Sequence, residues 1–376
     1  MIPYSKQSLN AADIAAVVKV LKSPFITQGP TIQKFEQALA DYCGVKHAVV
    51  FNSGTSALHA AYFAAGIQAG DEVVVPAITF AATANCALYV GATPVFTDVE
   101  KDSGLMSVES AKRNITKKTR ALVPVDYAGR PCDVDALKAL AKKNKLVFIV
   151  DAAQSLGATY RGKPVGVQGD MTMFSFHPVK SITSGEGGAV VTNSDEYAKA
   201  MRLFRTHGIT TDPSQLVRKG QGAWYQEMQA LGFNYRMTEL QAALGLSQMK
   251  RLNSFVKKRR AIAKRYHKLL ASVPGLIMPP PDSIDKEGAW HLYPIRVKEA
   301  GRRNEVLDGL RSRGIWAHVH HIPVHRHLYY ERLGYKEGLC PNAEAFSAAE
   351  ISIPIFPTMT TKEQDTVVKA LKEILA

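Results

Sequence analysis

Four short stretches set reactive side chains among small residues that leave room around them. Lys180 lies in "FSFHPVKSITSGEGGAVVTN", residues 174–193, a Ser, Thr and Gly run between two apolar segments. Asp151, with Gln154 three residues on, follows the apolar part of "LVFIVDAAQSLGA". "NSGTSALHAA" places Gly54 at a helix-opening turn between the hydroxyls of Ser53 and Thr55, and "AITFAATAN" sets Phe80 among threonines. Singly, each has an ordinary explanation as a cap, a turn former, a core ring or a solvated charge. All four, however, follow apolar strand-like runs, and open α/β sheets bind ligands beyond the carboxyl ends of their strands.

Taken together they match the needs of pyridoxal phosphate. That cofactor requires a lysine for its Schiff base and a carboxylate that keeps the ring nitrogen protonated, so that the ring withdraws electrons. Lys180 and Asp151 supply this catalytic pair. Its phosphate suits a helix N-terminus, where Gly54 permits close approach and Thr55 adds a hydroxyl. Phe80 offers a plane on which the ring can stack.

These residues need a frame. HAVVF, DEVVVP, TPVFTDV, RALVPV, LVFIVD, TMFSF and GAVVT are short β-branched runs, and helical patterns such as TSALHAAYFAA and VDALKALAKKNK lie between most of them. This alternation predicts a mostly parallel sheet covered by helices, in a large domain over residues 1–250. A basic segment at 250–270 repeats Leu252, Phe255, Val256, Ile262 or Ala263, Tyr266, Leu269 and Leu270 at helical spacing, so its charges are expected on a solvated face. Beyond it, "VPGLIMPPPDSIDKEG" reads as a loop. A smaller α+β domain over 251–376 is then expected, with HLYPIRV and WAHVHHIP as strands and KEQDTVVKALKEIL as the closing helix.

Composition narrows the classes. Hydrophobic residues make up 46% and charged residues 21% of the 376, which suits a folded protein of two domains. No apolar run reaches the roughly 18 residues of a membrane span, and MIPYSKQSLN lacks a signal-peptide pattern, so the cytoplasm is the expected compartment, with no membrane partner. The four cysteines show no CxxC spacing and read as reduced. A formal charge of +14 favours an anionic partner. No nucleic-acid reading fold or aromatic stacking set accompanies the basic helix, so a phosphorylated small molecule fits better than nucleic acid.

The ordered set "NSGTSALHAA", "GDEVVVPAITFAATANCALYVGATPVFTDV", "VDAAQSLGA", "SFHPVKSITSGEGGAVVTN" and "LGFNYRMTELQAALG" resembles the DegT-type sugar aminotransferases, fold type I pyridoxal phosphate enzymes. The likeness runs from "ITQGP" to "EISIPIFPTMT". It implies that Gly54, Thr55 and Ser175 cradle the phosphate, that Phe80 stacks on the ring, and that Gln154 meets the phenolic oxygen. It also implies that Asn234 reaches the phosphate of a neighbouring subunit, which makes a homodimer the expected assembly. Tyr4, Ile26, Thr27, His320, His321, Pro323 and His325 match positions on the sugar-nucleotide side. Family members with histidine at the lysine position dehydrate their sugars, so Lys180 implies transamination. The implied partners are L-glutamate as donor and a UDP-linked 4-keto-6-deoxy sugar as acceptor, sharing one pocket in turn.

Three other readings stand beside this one. "HVHHIPVHRH" carries His318, His320, His321, His325 and His327, but strand alternation separates His321 from His318 and His320, so no metal site is expected. A regulator built on the same fold would need a DNA-binding module, for which no room precedes the first sheet motif. Another acceptor, GDP- or dTDP-linked or aminated at C3, would use the same cofactor residues.

Overall fold

The computed structural model describes residues 1–376. All seven β-branched runs become strands of one sheet: β1 His47–Phe51, β2 Glu72–Pro76, β3 Thr93–Thr97, β4 Thr119–Leu122, β5 Val147–Asp151, β6 Met171–Ser175 and β7 Gly188–Thr192. Their order is β1-β7-β6-β5-β4-β2-β3, parallel from β6 through β3, with β7 antiparallel to both neighbours. Successive side chains leave a strand on opposite faces. Val49, Val73, Val75, Ile149 and Val190 therefore enter one hydrophobic layer. Val50, Val74, Phe148, Val150 and Val191 enter the other. Burial on both faces is why these strands read as continuous apolar runs rather than alternating ones.

A third core surrounds a smaller antiparallel sheet of β8 Leu276–Ile277, β9 Tyr293–Val297 and β10 Glu350–Ile353. The helix Leu252–Leu270 bridges the cores: Leu252, Phe255 and Val256 pack on the large sheet's layer, while Ile262, Ala263, Tyr266 and Leu270 join the third. Val324, Tyr330, Ala343 and Phe346 return to the first layer, so the chain beyond 251 covers both sheets.

Two expectations need correction. WAHVHHIP is not a strand: it touches the small sheet through the single bridge His318↔Ser352 and otherwise forms neither helix nor strand. The basic helix does not solvate all its charges, because Arg259 is 1% exposed. No helix is long and apolar enough to cross a membrane.

Candidate active site

Asp151 and Lys180 lie at and beyond the ends of β5 and β6. Asp151 closes β5 and is 4% exposed. Thr83 Oγ1 donates to its Oδ2 at 2.7 Å, and the Ala153 amide donates to Oδ1 at 3.1 Å. The Thr79 hydroxyl lies 2.7 Å from that of Thr83. With its own proton committed to the carboxylate, Thr83 accepts from Thr79, so the two hydroxyls form a directed relay onto Asp151. Burial raises the Asp151 pKa above the usual carboxylate value, while these two donors and the charge of Lys180 pull against it.

Lys180 follows β6 after a turn closed by its own N–H on the His177 carbonyl at 2.9 Å. Its pKa falls to about 8, first through desolvation, with Asp151 opposing the shift and Arg259 reinforcing it. Near neutral pH this amine is much closer to its nucleophilic form than a solvated lysine.

The sheet register builds a close-packed cradle beside it. Gly188 on β7 pairs with Phe51 on one side and Ser175 on the other. A Cβ at Gly188 would meet the Ser53 carbonyl at 2.6 Å and the Gly54 nitrogen at 2.8 Å; one at Gly54 would meet Ser175 Cβ at 3.0 Å. Helix Gly54–Ala64 thus presses its N-terminus against Ser175. Ser53 and Ser56 close a capping box, so the Ser53 hydroxyl is occupied by the Ser56 amide. The Gly54 and Thr55 amides have no acceptor in their own helix and mark an anion-accepting end.

Gln154 is buried, with Oε1 accepting from the Ala128 amide at 2.7 Å. Phe80 is 64% exposed, and its ring stands edge-on to His321 at 6.1 Å. The segment holding His320, His321 and Pro323 is fixed by its backbone: the His320 amide donates to Glu350 Oε2 at 2.7 Å, Tyr127 OH donates to the His320 carbonyl at 2.6 Å, and the Val324 amide donates to the Ala77 carbonyl at 2.9 Å. Tyr4 packs on His320 with ring centroids 5.4 Å apart. Burial drives the pKa of His321 to about 3 and that of His320 well below its ordinary value, with Lys180 adding repulsion to both. Both imidazoles are therefore neutral.

His325 does not join this group. Its side chain is fully buried, Nε2 lies 2.8 Å from Glu344 Oε1, and the ring packs on Phe96. Ile26 and Thr27 are exposed and use their backbones on Glu239 and Thr238. Asn234 is exposed, its carbonyl accepting from Asn52 Nδ2 at 3.4 Å while its amide makes no bond within the chain.

Sequence reasoning missed His291 and Arg259. His291 is 3% exposed and held neutral by burial, with Lys180 foremost among the repelling charges. Its signal was its place at the head of the run HLYPIRV. Arg259 falls on the apolar stripe of its helix, four residues from Phe255 and three from Val256 and Ile262.

A lysine and a buried carboxylate at the end of a mostly parallel sheet, beside a glycine-lined helix N-terminus, define the fold type I pyridoxal phosphate aminotransferases. The chain belongs to the DegT/DnrJ/EryC1/StrS aminotransferase family, whose model matches residues 7–372. It is 38% identical over 381 aligned positions to the spore coat polysaccharide biosynthesis protein SpsC of Bacillus subtilis, covering 100% of this chain and 97% of SpsC. Spr1654 of Streptococcus pneumoniae, solved in a pyridoxamine phosphate form, superposes with a TM-score of 0.94 at 31% identity, over 100% of this chain and 99% of its own. PseC of Helicobacter pylori, an aminotransferase of pseudaminic acid biosynthesis, gives 0.92 at 34% identity, with the same coverage. The protein is a pyridoxal phosphate-dependent sugar aminotransferase.

Proposed function

We propose that the protein transfers the amino group of L-glutamate to C4 of a UDP-linked 4-keto-6-deoxy-N-acetylhexosamine, giving a UDP-4-amino-4,6-dideoxy sugar for pseudaminic-acid-type glycans. The observation that carries this reading is the Lys180–Asp151 pair in a chain 34% identical to PseC over its whole length.

The residues fit the cofactor. Gly54 and Gly188 leave no space for a Cβ, so the free amides of Gly54 and Thr55 and the Ser175 hydroxyl can close on a phosphate. Asp151 is the ring-nitrogen partner, Phe80 the stacking face, Gln154 the side chain for the phenolic oxygen, and Lys180 the point of attachment. Tyr4, Ile26, Thr27, His320, His321 and Pro323 line the sugar side, and the side chain of Asn234 reaches the site of a partner subunit. Exposure of Val217, Trp224 and Leu231, each above 75%, supports a homodimer.

When bound, pyridoxal phosphate supplies an electron sink for the carbon next to the transferred nitrogen. With the cofactor and amino donor bound, Lys180 Nζ would take the proton from the donor's carbon and, in the second half of the cycle, deliver one to C4 of the acceptor, a role for which a pKa near 8 is suited. Asp151, fixed by the Thr83 relay, holds a proton on the ring nitrogen. Phe80 and His321 keep water from one side. The neutral imidazoles of His320 and His321 can donate hydrogen bonds to a keto oxygen without competing with Lys180 for its proton.

SpsC, at 38% identity, is a protein of spore coat polysaccharide biosynthesis, and that different product favours a second reading in which the acceptor is another nucleotide sugar. Incubation with L-glutamate and equal amounts of UDP-, GDP- and dTDP-linked 4-keto-6-deoxy sugars, read by mass spectrometry and NMR of the products, decides. Preference for the UDP sugar with nitrogen at C4 supports the first reading. Preference for another nucleotide or for C3 transfers it to the second, and no 2-oxoglutarate with any acceptor ends both.

A further inference from the structure

Arg259 has the environment of a charge kept for its field. It lies on helix Leu252–Leu270, 1% exposed. Nη1 donates to the carbonyls of Trp290 and His291, both at 3.2 Å, and of Ile355 at 2.9 Å. Nη2 donates to Ser5 Oγ and to the Val179 carbonyl, both at 3.3 Å. Every partner is neutral, whereas Arg205, Arg251 and Arg296 elsewhere in the chain each meet a carboxylate. Burying a guanidinium without a counter-ion is costly, and an apolar side chain would fill the same space more cheaply.

The Val179 carbonyl belongs to the peptide that leads into Lys180. The titratable groups around that lysine are Asp151 from the end of β5, Arg259 from its helix, His291 from the segment before β9, and His320 and His321 from the extended segment. The three imidazoles are neutral, so Lys180 lies between one carboxylate and one permanent cation.

We propose that Arg259 is a positioning residue for Lys180: it fixes the Val179 carbonyl, and its uncompensated charge adds to desolvation in enlarging the neutral, nucleophilic fraction of the Lys180 amine. Asp151 pulls the other way, toward the ammonium, which cannot add to the cofactor's aldehyde. Arg259 offsets that pull and, being buried, does so with little screening by salt. The inference builds on the aminotransferase reading, but its test uses cofactor-free protein.

The reactivity of Lys180 toward a trace amine-acylating reagent is followed against pH by peptide mass spectrometry. Wild type should show a midpoint near 8. Arg259→Gln should raise it by about half to one unit, lowering Lys180 reactivity at pH 7.5 roughly three- to tenfold. A folded Gln variant with the wild-type midpoint overturns the proposal. Should that variant fail to fold, Arg259→Met decides, because it fills the same space without a charge. Its Lys180 midpoint should rise in the same way, and a midpoint unchanged from wild type overturns the proposal. A Lys180 that titrates near 8 but never takes up pyridoxal phosphate would sink the aminotransferase reading and leave this one standing.

Discussion

Asp151 owes its position to Thr83, because a carboxylate that is 4% exposed keeps its charge only if donors replace water. Thr83→Val preserves shape and removes the donor, so Asp151 should be harder to ionise and a protonated ring nitrogen less well held. We expect pyridoxal phosphate affinity to fall about tenfold, measured by fluorescence titration. Lys180 sets a second expectation. Its pKa in the folded protein is lowered to about 8, so the rate of cofactor capture by the apo-protein should rise with pH and level off above 8. A rise continuing toward pH 10 would mean an ordinary lysine. Lys180, Asp151, Gly54 and Phe80 were legible in the sequence because each follows an apolar run at a strand end. Arg259 and His291 were not. An arginine inside "KKRRAIAKR" counts as solvent-facing until the helical phase is followed through position 259, and a single histidine before a strand carries no charge pattern.

Among the elements, β7 decides the cradle. An antiparallel strand between β1 and β6 puts Gly188 against both Ser53 and Gly54, and those contacts are backbone atoms that cannot rotate away. Gly188→Ala should therefore displace the helix N-terminus and weaken cofactor binding more than Gly54→Ala, whose clash is with the Ser175 side chain. A destabilisation of about 1–3 kcal/mol accompanies such overpacking. Calorimetric melting with and without cofactor separates the two effects: the cofactor-induced rise in Tm should shrink in both variants, further in the alanine at 188. Strand identity was readable because burial on both faces leaves a continuous apolar run. The 315–324 segment misled because its alternating histidines imitate a strand, while its backbone partners, Glu350 and Tyr127, lie far off in sequence. The same distance hid the Glu344 partner that turns His325 inward.

For the whole molecule, buried titratable groups set a pH window. Glu350 rises from its ordinary value near 4.5 to about 8, so the folded state binds its proton more tightly than the unfolded chain. That contribution is present at low pH and is lost as pH climbs from about 4.5 toward 8. His321 falls from 6.5 to about 3, and His291 and His320 shift the same way, so their contribution is lost as pH drops below about 6.5. Stability should therefore peak near pH 6.5, by chemical denaturation at fixed ionic strength. Glu350→Gln should flatten the alkaline side, and His321→Asn the acid side. Size-exclusion light scattering should find a dimer, with Trp224→Asp and Leu231→Asp together shifting it toward monomer. The seven-stranded sheet was legible at this scale; the packing of residues 324–346 back onto its first layer was not, since amphipathic helices do not declare which core they cover.

The Arg259 cage draws on residues 5, 179, 290, 291 and 355, which span nearly the entire chain. During synthesis the acceptors arrive in that order, and the last comes only after the small sheet's final strand. A chain cut short before residue 355 would therefore keep the whole seven-stranded sheet and still lack part of the cage beside Lys180.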